Sequence, residues 1–193
     1  DRLADERRPW LDDASFVGSM IGDAPVLPAL LLAALIGAAM VRRLRIGVFL
    51  VTAAVMELAL YRLVALGAPR ERPDVPRLDD LPVDESFPSG HVAASVVVYV
   101  GLALIISSAF RRRWVTVLAW TVAIAMVLVV SVSRLYRGMH HPFDTLGGAL
   151  LGLDLGEHPE RQIPLFEGLS SRQARIFALM SDVVEKPAGT RLC

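Results

Sequence analysis

Three short stretches of this 193-residue chain gather side chains suited to phosphoryl transfer. They are Arg70-Glu71-Arg72-Pro73, Phe87-Pro88-Ser89-Gly90-His91, and the run 133–144, which holds Ser133, Arg134, Arg137, His140, His141 and Asp144. Guanidinium forks match the oxygens of a phosphate in bidentate geometry. A Ser-Gly pair that opens a helix offers a hydroxyl and unobstructed backbone N–H groups at the positive end of the helix dipole. One imidazole can attack phosphorus while another protonates the departing oxygen. A carboxylate four residues after His140 can hold that ring in its reactive tautomer. No cluster of carboxylates stands ready for a metal, so no metal ligand and no cofactor is assigned and the arginines supply the neutralising charge.

Side chains this far apart need a scaffold, and the scaffold is apolar. Hydrophobic residues make up 54 % of the chain, and 20 Lys+Arg balance 20 Asp+Glu. Mean hydropathy is +0.50. Zero net charge argues against a nucleic-acid partner, which calls for a basic surface. The single Cys, at position 193, excludes an internal disulfide framework and a Cys-based zinc site. The charges sit in islands between long uncharged runs, and a bilayer core of about 30 Å needs roughly 20 apolar residues in a helix. Runs 24–41, 92–110 and 114–133 carry no charge at all, and run 46–66 is apolar apart from Glu57 and Arg62. The expected architecture is an all-α, polytopic membrane bundle of four full spans.

The arginine-only loops at 42–45 and 111–113 belong on the cytoplasmic side. The connections 67–90 and 134–142 then share the opposite, extracytoplasmic face, which brings the three clusters to one side. Prolines 69, 73, 76, 82 and 88 exclude a regular helix from the longer connection. Irregular connections of that length are uncommon unless they serve a function. Residues 1–23 read as a polar or interfacial segment, 24–153 as the membrane domain, and 154–193 as a soluble, amphipathic tail placed in the cytoplasm by alternation. The chain begins at Asp1 rather than Met, and a further span is expected before it.

These residues carry a resemblance. Pro88-Ser89-Gly90-His91, followed about 40 residues later by Ser133, Arg134, His140 and Asp144 in matching spacing, resembles the type-2 phosphatidic acid phosphatase family. That family shares its site with vanadium haloperoxidases and bacterial class A acid phosphatases. The resemblance covers residues 24–153 and implies a plasma-membrane, multi-pass lipid phosphatase acting on a phosphatidic acid-like or polyprenyl diphosphate substrate, with no metal. It implies that His140 is the nucleophile that forms a phosphohistidine, that Asp144 orients it, and that His91 is the general acid. Arg72, Ser89, Gly90 and Arg134 would hold the phosphate.

Two departures stand out. The family's Lys, seven residues before Arg72, is replaced by Ala65, and Arg62, one helical turn earlier, is the candidate auxiliary cation. The family continues into a last full span, whereas run 143–153 supplies only about eleven apolar residues, a partial span. Beyond it, 163–190 resembles the opening of a cyclic-nucleotide-binding domain, whose phosphate-binding cassette would lie downstream, so a cyclic nucleotide is a partner only if that part exists. Arg70, Arg77 and Arg137 read as rim charges, and Glu57 as either a functional or a hydrogen-bonded buried carboxyl. The alternatives are a catalytically weak membrane anchor or sensor coupled to a nucleotide-binding module, and a vanadate-dependent haloperoxidase, whose soluble members lack such apolar runs.

Overall fold

The computed structural model describes residues 7–40, 42, 44–79, 85–110 and 112–157. Among them every regular element is a helix: α1 (Pro9–Met20), α2 (Val26–Met40), α3 (Leu44–Gly67), α4 (Gly90–Ala109), α5 (Arg113–Tyr136) and α6 (Pro142–Glu157). Uncharged runs become helices because only a helix satisfies its own backbone polar groups without water. Gly67 and Pro69 stop α3, since the proline can neither continue the helix nor leave its predecessor helical. Pro9 and Pro142 open α1 and α6 at the position where a missing N–H costs nothing.

Three helices are long and apolar enough to cross a membrane: α3, residues Gly90–Ser107 of α4, and α5. The expected fourth span is α2, which has only 15 residues, or about 22 Å at 1.5 Å per residue, short of a hydrocarbon core. Among the described residues, three of the four expected spans reach full length. The partial last span does not stop at residue 153, because α6 runs on to Glu157. The cyclic-nucleotide resemblance at 163–190 lies outside the described residues.

Helix α4 is the axle of the bundle, packed against α2, α3, α5 and α6. Its Val98, Tyr99 and Ala103 form the main core with Leu27 of α2 and Ala123 of α5. The outward faces of α3 and α5 stay apolar, with Leu58, Leu63, Val117, Leu128 and Val132 exposed, as helices bathed in lipid require.

The proline-rich connection folds back over the end of the bundle where α3 and α5 finish and α4 and α6 begin. Ser86 N donates to Arg70 O at 2.7 Å, Leu78 N to Arg137 O at 3.1 Å, and Ser89 N to Asp144 O at 2.9 Å. The last of these joins the second cluster to the third, and the other two tie the connection to Arg70 and Arg137. Gly138 turns the chain between α5 and α6 at φ +72, a conformation that favours glycine. Gly148 lets α6 lie directly on the Pro-Ser-Gly turn: a Cβ there would stand 2.3 Å from Ser89 O. Gly148→Ala is expected to displace that backbone, lowering stability by about 1–3 kcal/mol in a detergent unfolding experiment and reducing turnover with it.

Helix α1 packs along α5. Three of its polar side chains face inward: Asp12 Oδ1 accepts from the Tyr136 hydroxyl at 2.8 Å, and Ser15 and Ser19 are buried. Trp10, Phe16, Val17 and Met20 face outward and are exposed.

Candidate active site

Arg134 lies in the last turn of α5 and is 2 % exposed. Its Nη1 donates to Ser19 Oγ and to Asp79 Oδ2, both at 2.9 Å. Its Nε and Nη2 are buried with no protein partner. Those two nitrogens form the side-on edge of the guanidinium, the fork that grips two oxygens of one phosphate or carboxylate. One corner of the group is pinned so that the other edge is presented.

Ser89 precedes α4 in extended conformation, where a serine ordinarily turns its hydroxyl back to cap the helix. This hydroxyl makes no cap bond and is buried without a partner. Buried donors left unmatched are costly, and a set of them next to a helix N-terminus is an anion site. Gly90 follows with the Tyr61 ring against it, so that a Cβ would sit 3.0 Å from the ring. Arg72 is buried, and its Nη1 donates to Met139 O at 2.6 Å, which ties the first cluster to the third.

His140 lies in the turn before α6 and is 6 % exposed. Its Nδ1 is 2.7 Å from Ser86 O. A carbonyl only accepts, so Nδ1 carries the proton and Nε2 keeps its lone pair. Burial, then the positive charges of Arg134 and Arg72, push the imidazole down to about 3, even though the Ser86 bond pulls the other way. At neutral pH the ring is uncharged.

Asp144 does not touch His140. Its Oδ2 accepts from Ser86 Oγ at 2.5 Å and from His141 N at 2.7 Å, and its Oδ1 accepts from Arg70 Nη1 at 2.9 Å. His140 precedes α6, which begins at Pro142, whereas Asp144 lies in its first turn. The carboxylate reaches the imidazole through Ser86, gripping its hydroxyl while its carbonyl holds the ring.

His91 occupies the first turn of α4, and its Nε2 lies 3.5 Å from Asp23 Oδ1. It is subject to the same two charges, Arg134 and Arg72, that act on His140, and it acts on His140 in turn. The clusters therefore converge on one locus bearing two imidazoles, two guanidiniums and the Ser89 hydroxyl.

Arg62 is not drawn into that locus: it is exposed on α3, and Ala65, at the expected lysine position, is buried. Arg70 is the extra cation at the site, salt-bridged to the fully buried Asp144. Arg70→Ala, which leaves that carboxylate unpaired, is expected to lower kcat roughly tenfold, and Arg62→Ala less than threefold, in phosphate-release assays.

Spacing rules missed several residues. Arg137, expected at the rim, is 5 % exposed. Its Nη2 bonds Asp79 Oδ1 at 2.5 Å, and its guanidinium lies 5.5 Å over the Phe16 ring. Burial alone would raise the Asp79 carboxyl, but the Arg137 hydrogen bond and the charges of Arg134 and Arg137 hold it below the usual range. One aspartate thus clasps two arginines. Ser19 and Asp23 come from a segment with no recognisable pattern, although Asp12, Ser15 and Ser19 fall at the spacing of one helical face. Among the described residues no group of three or more His, Cys, Asp or Glu could hold a metal ion.

The chain matches the PAP2 superfamily over residues 46–156. Over 75 residues it is 37 % identical to an undecaprenyl-diphosphatase of Sulfolobus acidocaldarius, covering 39 % of this chain and 32 % of that protein. Over 66 residues it is 36 % identical to a lipid A 4'-phosphatase of Bacteroides thetaiotaomicron, covering 34 % and 26 %. The chain thus spans about a third or less of these curated relatives. The fold is that of a transmembrane PAP2 type phosphatidylglycerolphosphate phosphatase from Bacillus subtilis, at TM-score 0.74 and 23 % identity over 84 % of this chain and 83 % of that one. LpxE of Aquifex aeolicus superposes at TM-score 0.61 and 25 % identity, over 80 % and 87 %.

Proposed function

From its membership of the PAP2 superfamily, to which this chain belongs, we propose that it is a lipid phosphatase of the membrane. It removes the terminal phosphate of a lipid phosphate or diphosphate through a phosphohistidine on His140, with no metal. The curated relatives are named for such substrates, undecaprenyl diphosphate and lipid A. The observation that carries the reading is the buried, unmatched donor set of Arg134 Nε, Arg134 Nη2 and Ser89 Oγ beside an imidazole with a free Nε2 lone pair.

The steps follow from these groups. Arg134, Ser89 and the first amides of α4 take the phosphate oxygens, and Arg72 adds charge. The His140 Nε2 lone pair forms a bond to phosphorus while the bond to the lipid oxygen breaks. That oxygen takes the proton of His91 Nε2 and leaves as an alcohol, or as a lipid monophosphate from a diphosphate. Water then bonds to phosphorus and gives a proton back to His91. The N–P bond breaks, its electron pair returns to His140, and phosphate departs. The exposed apolar faces of α3 and α5 let the lipid tail stay in the bilayer while its headgroup meets the arginines.

We place the site on the extracytoplasmic side of the plasma membrane, since the arginine loops at 42–45 and 111–113 join the opposite helix ends. In that arrangement α2 and α6 complete the bundle as a shortened span and a partial last one. The test is phosphate release from phosphatidic acid and undecaprenyl diphosphate in detergent with EDTA. Wild type is expected to release phosphate and to carry an acid-labile, base-stable phosphoryl group, and His140→Ala to do neither. Equal release from both proteins would overturn the reading.

A further inference from the structure

Segment 9–23 lies outside the residues that match the family, yet it meets the site at two points. One is Ser19 on Arg134. The other is Asp23, in the short turn between α1 and α2. Its backbone carbonyl accepts from Val26 N at 3.1 Å and Leu27 N at 3.2 Å, and its Oδ1 accepts from Ala24 N at 2.7 Å, so Asp23 shapes the turn that leads into α2. The same Oδ1 is the atom that stands 3.5 Å from His91 Nε2, an ion-pair distance.

His91 faces an electrostatic difficulty. To protonate a leaving oxygen it must first hold a second proton, and the charges around it oppose that. Arg134 of α5 and Arg72 of the proline-rich connection act on it as positive neighbours, and His140 lies within reach. Two carboxylates face it, Asp79 and Asp23. Asp79 is already clasped by Arg134 and Arg137. Asp23 forms no salt bridge with an arginine among the described residues, although the charge of Arg134 is felt there too, and its side chain is 50 % exposed. It is the carboxylate left to balance an imidazolium.

We propose that Asp23 is the positioning residue for leaving-group protonation, keeping the Nε2 proton on His91 until the departing oxygen takes it. The inference rests on the lipid phosphatase reading above, in which His91 is the acid. In the step concerned, the electron pair of the breaking P–O bond goes to oxygen, the His91 Nε2–H bond breaks, and an O–H bond forms. A neutral imidazole remains beside Asp23 until water returns the proton.

The test compares two leaving groups with the full chain in detergent micelles. Phosphatidic acid releases an alkoxide, which needs the proton, whereas 4-nitrophenyl phosphate releases a stable phenolate, which does not. Asn suits such a turn as well as Asp does, so Asp23→Asn removes the charge and keeps the turn. Its kcat on phosphatidic acid is expected to fall about tenfold with KM within about twofold, while turnover of the aryl ester stays within about twofold. Asp23→Glu should recover part of the loss. Asp23→Ser, which also suits a turn, should repeat the selective defect. Wild-type turnover of both substrates by Asp23→Asn, or an equal loss on both, would overturn the proposal and leave Asp23 as a turn residue. His91→Ala also loses the base for the shared water step, so its steady-state turnover should fall on both substrates. It should still release a single-turnover burst of nitrophenolate and no matching burst of alcohol from phosphatidic acid; equal bursts, or none on either substrate, remove the acid and the proposal with it. Phosphate release that survives in His140→Ala is a separate outcome, which overturns the phosphatase reading itself.

Discussion

His140→Ala is expected to lower phosphate release by about a thousandfold or more while leaving lipid binding largely intact. The nucleophile forms the bond that divides hydrolysis into two steps, and nothing beside it can take over that bond. His141 is next in sequence, but its amide is committed to Asp144 and it opens the turn into α6. The loss should appear in kcat, and labelling from a radioactive substrate should vanish. The same residue sets the acid side of the pH profile. An ordinary histidine, titrating near 6.5, would lose most of its nucleophilic form between pH 6 and 5. His140 is held down to about 3 by burial and by Arg134 and Arg72, so the neutral form persists through that range. Once the substrate's own ionisation is allowed for, kcat/KM should show no tenfold-per-unit decline between pH 6 and 5. Ser86 can be probed in the same way. Ser86→Ala keeps the carbonyl that holds the ring and removes the hydroxyl that Asp144 grips, so a partial loss in kcat should separate the two contacts.

Arg134→Lys is expected to lower kcat/KM by roughly 100- to 1000-fold, although the charge is kept. Arginine here does two jobs with one planar group. Its Nη1 is held by Ser19 and Asp79, and its Nε and Nη2 are buried without a protein partner, free for the phosphate of the proposed reaction. A single ammonium cannot be anchored on Asp79 and also offer a two-point fork. Binding of inorganic phosphate, measured by calorimetry or phosphorus NMR, should weaken together with turnover, because the fork is used in both. Asp79→Asn should show a related but smaller loss, since it releases Arg134 and Arg137 together.

The chemical clusters were legible because each is contiguous and carries its own local geometry. Ser89-Gly90-His91 opens a helix, and Arg134 closes one. The apolar runs placed α3, α4 and α5 to within a few residues, since a charge or a proline marks each end. What spacing could not show were contacts between distant segments. Ser19 meets Arg134 across 115 positions, and a polar residue in a charged leader gives no sign of that. Arg137 looked like a surface charge because its partners Asp79 and Phe16 lie far away along the chain. The orienting role expected of Asp144 runs through Ser86, a residue outside all three clusters, which no local spacing points to. The length of α2 was overestimated because the apolar composition at 24–41 continues past the ends of the helical hydrogen-bonding pattern at Val26 and Met40.

The pinned guanidinium has a consequence for selectivity. A cradle assembled before its guest arrives, and braced from behind by Ser19 and Asp79, reads a tetrahedral oxyanion and little of what hangs from it. Sorting among lipids then falls to the greasy flanks of the bundle and to whatever the surrounding leaflet delivers. Free orthophosphate, stripped of any tail, should compete for the same seat and slow the enzyme as product accumulates.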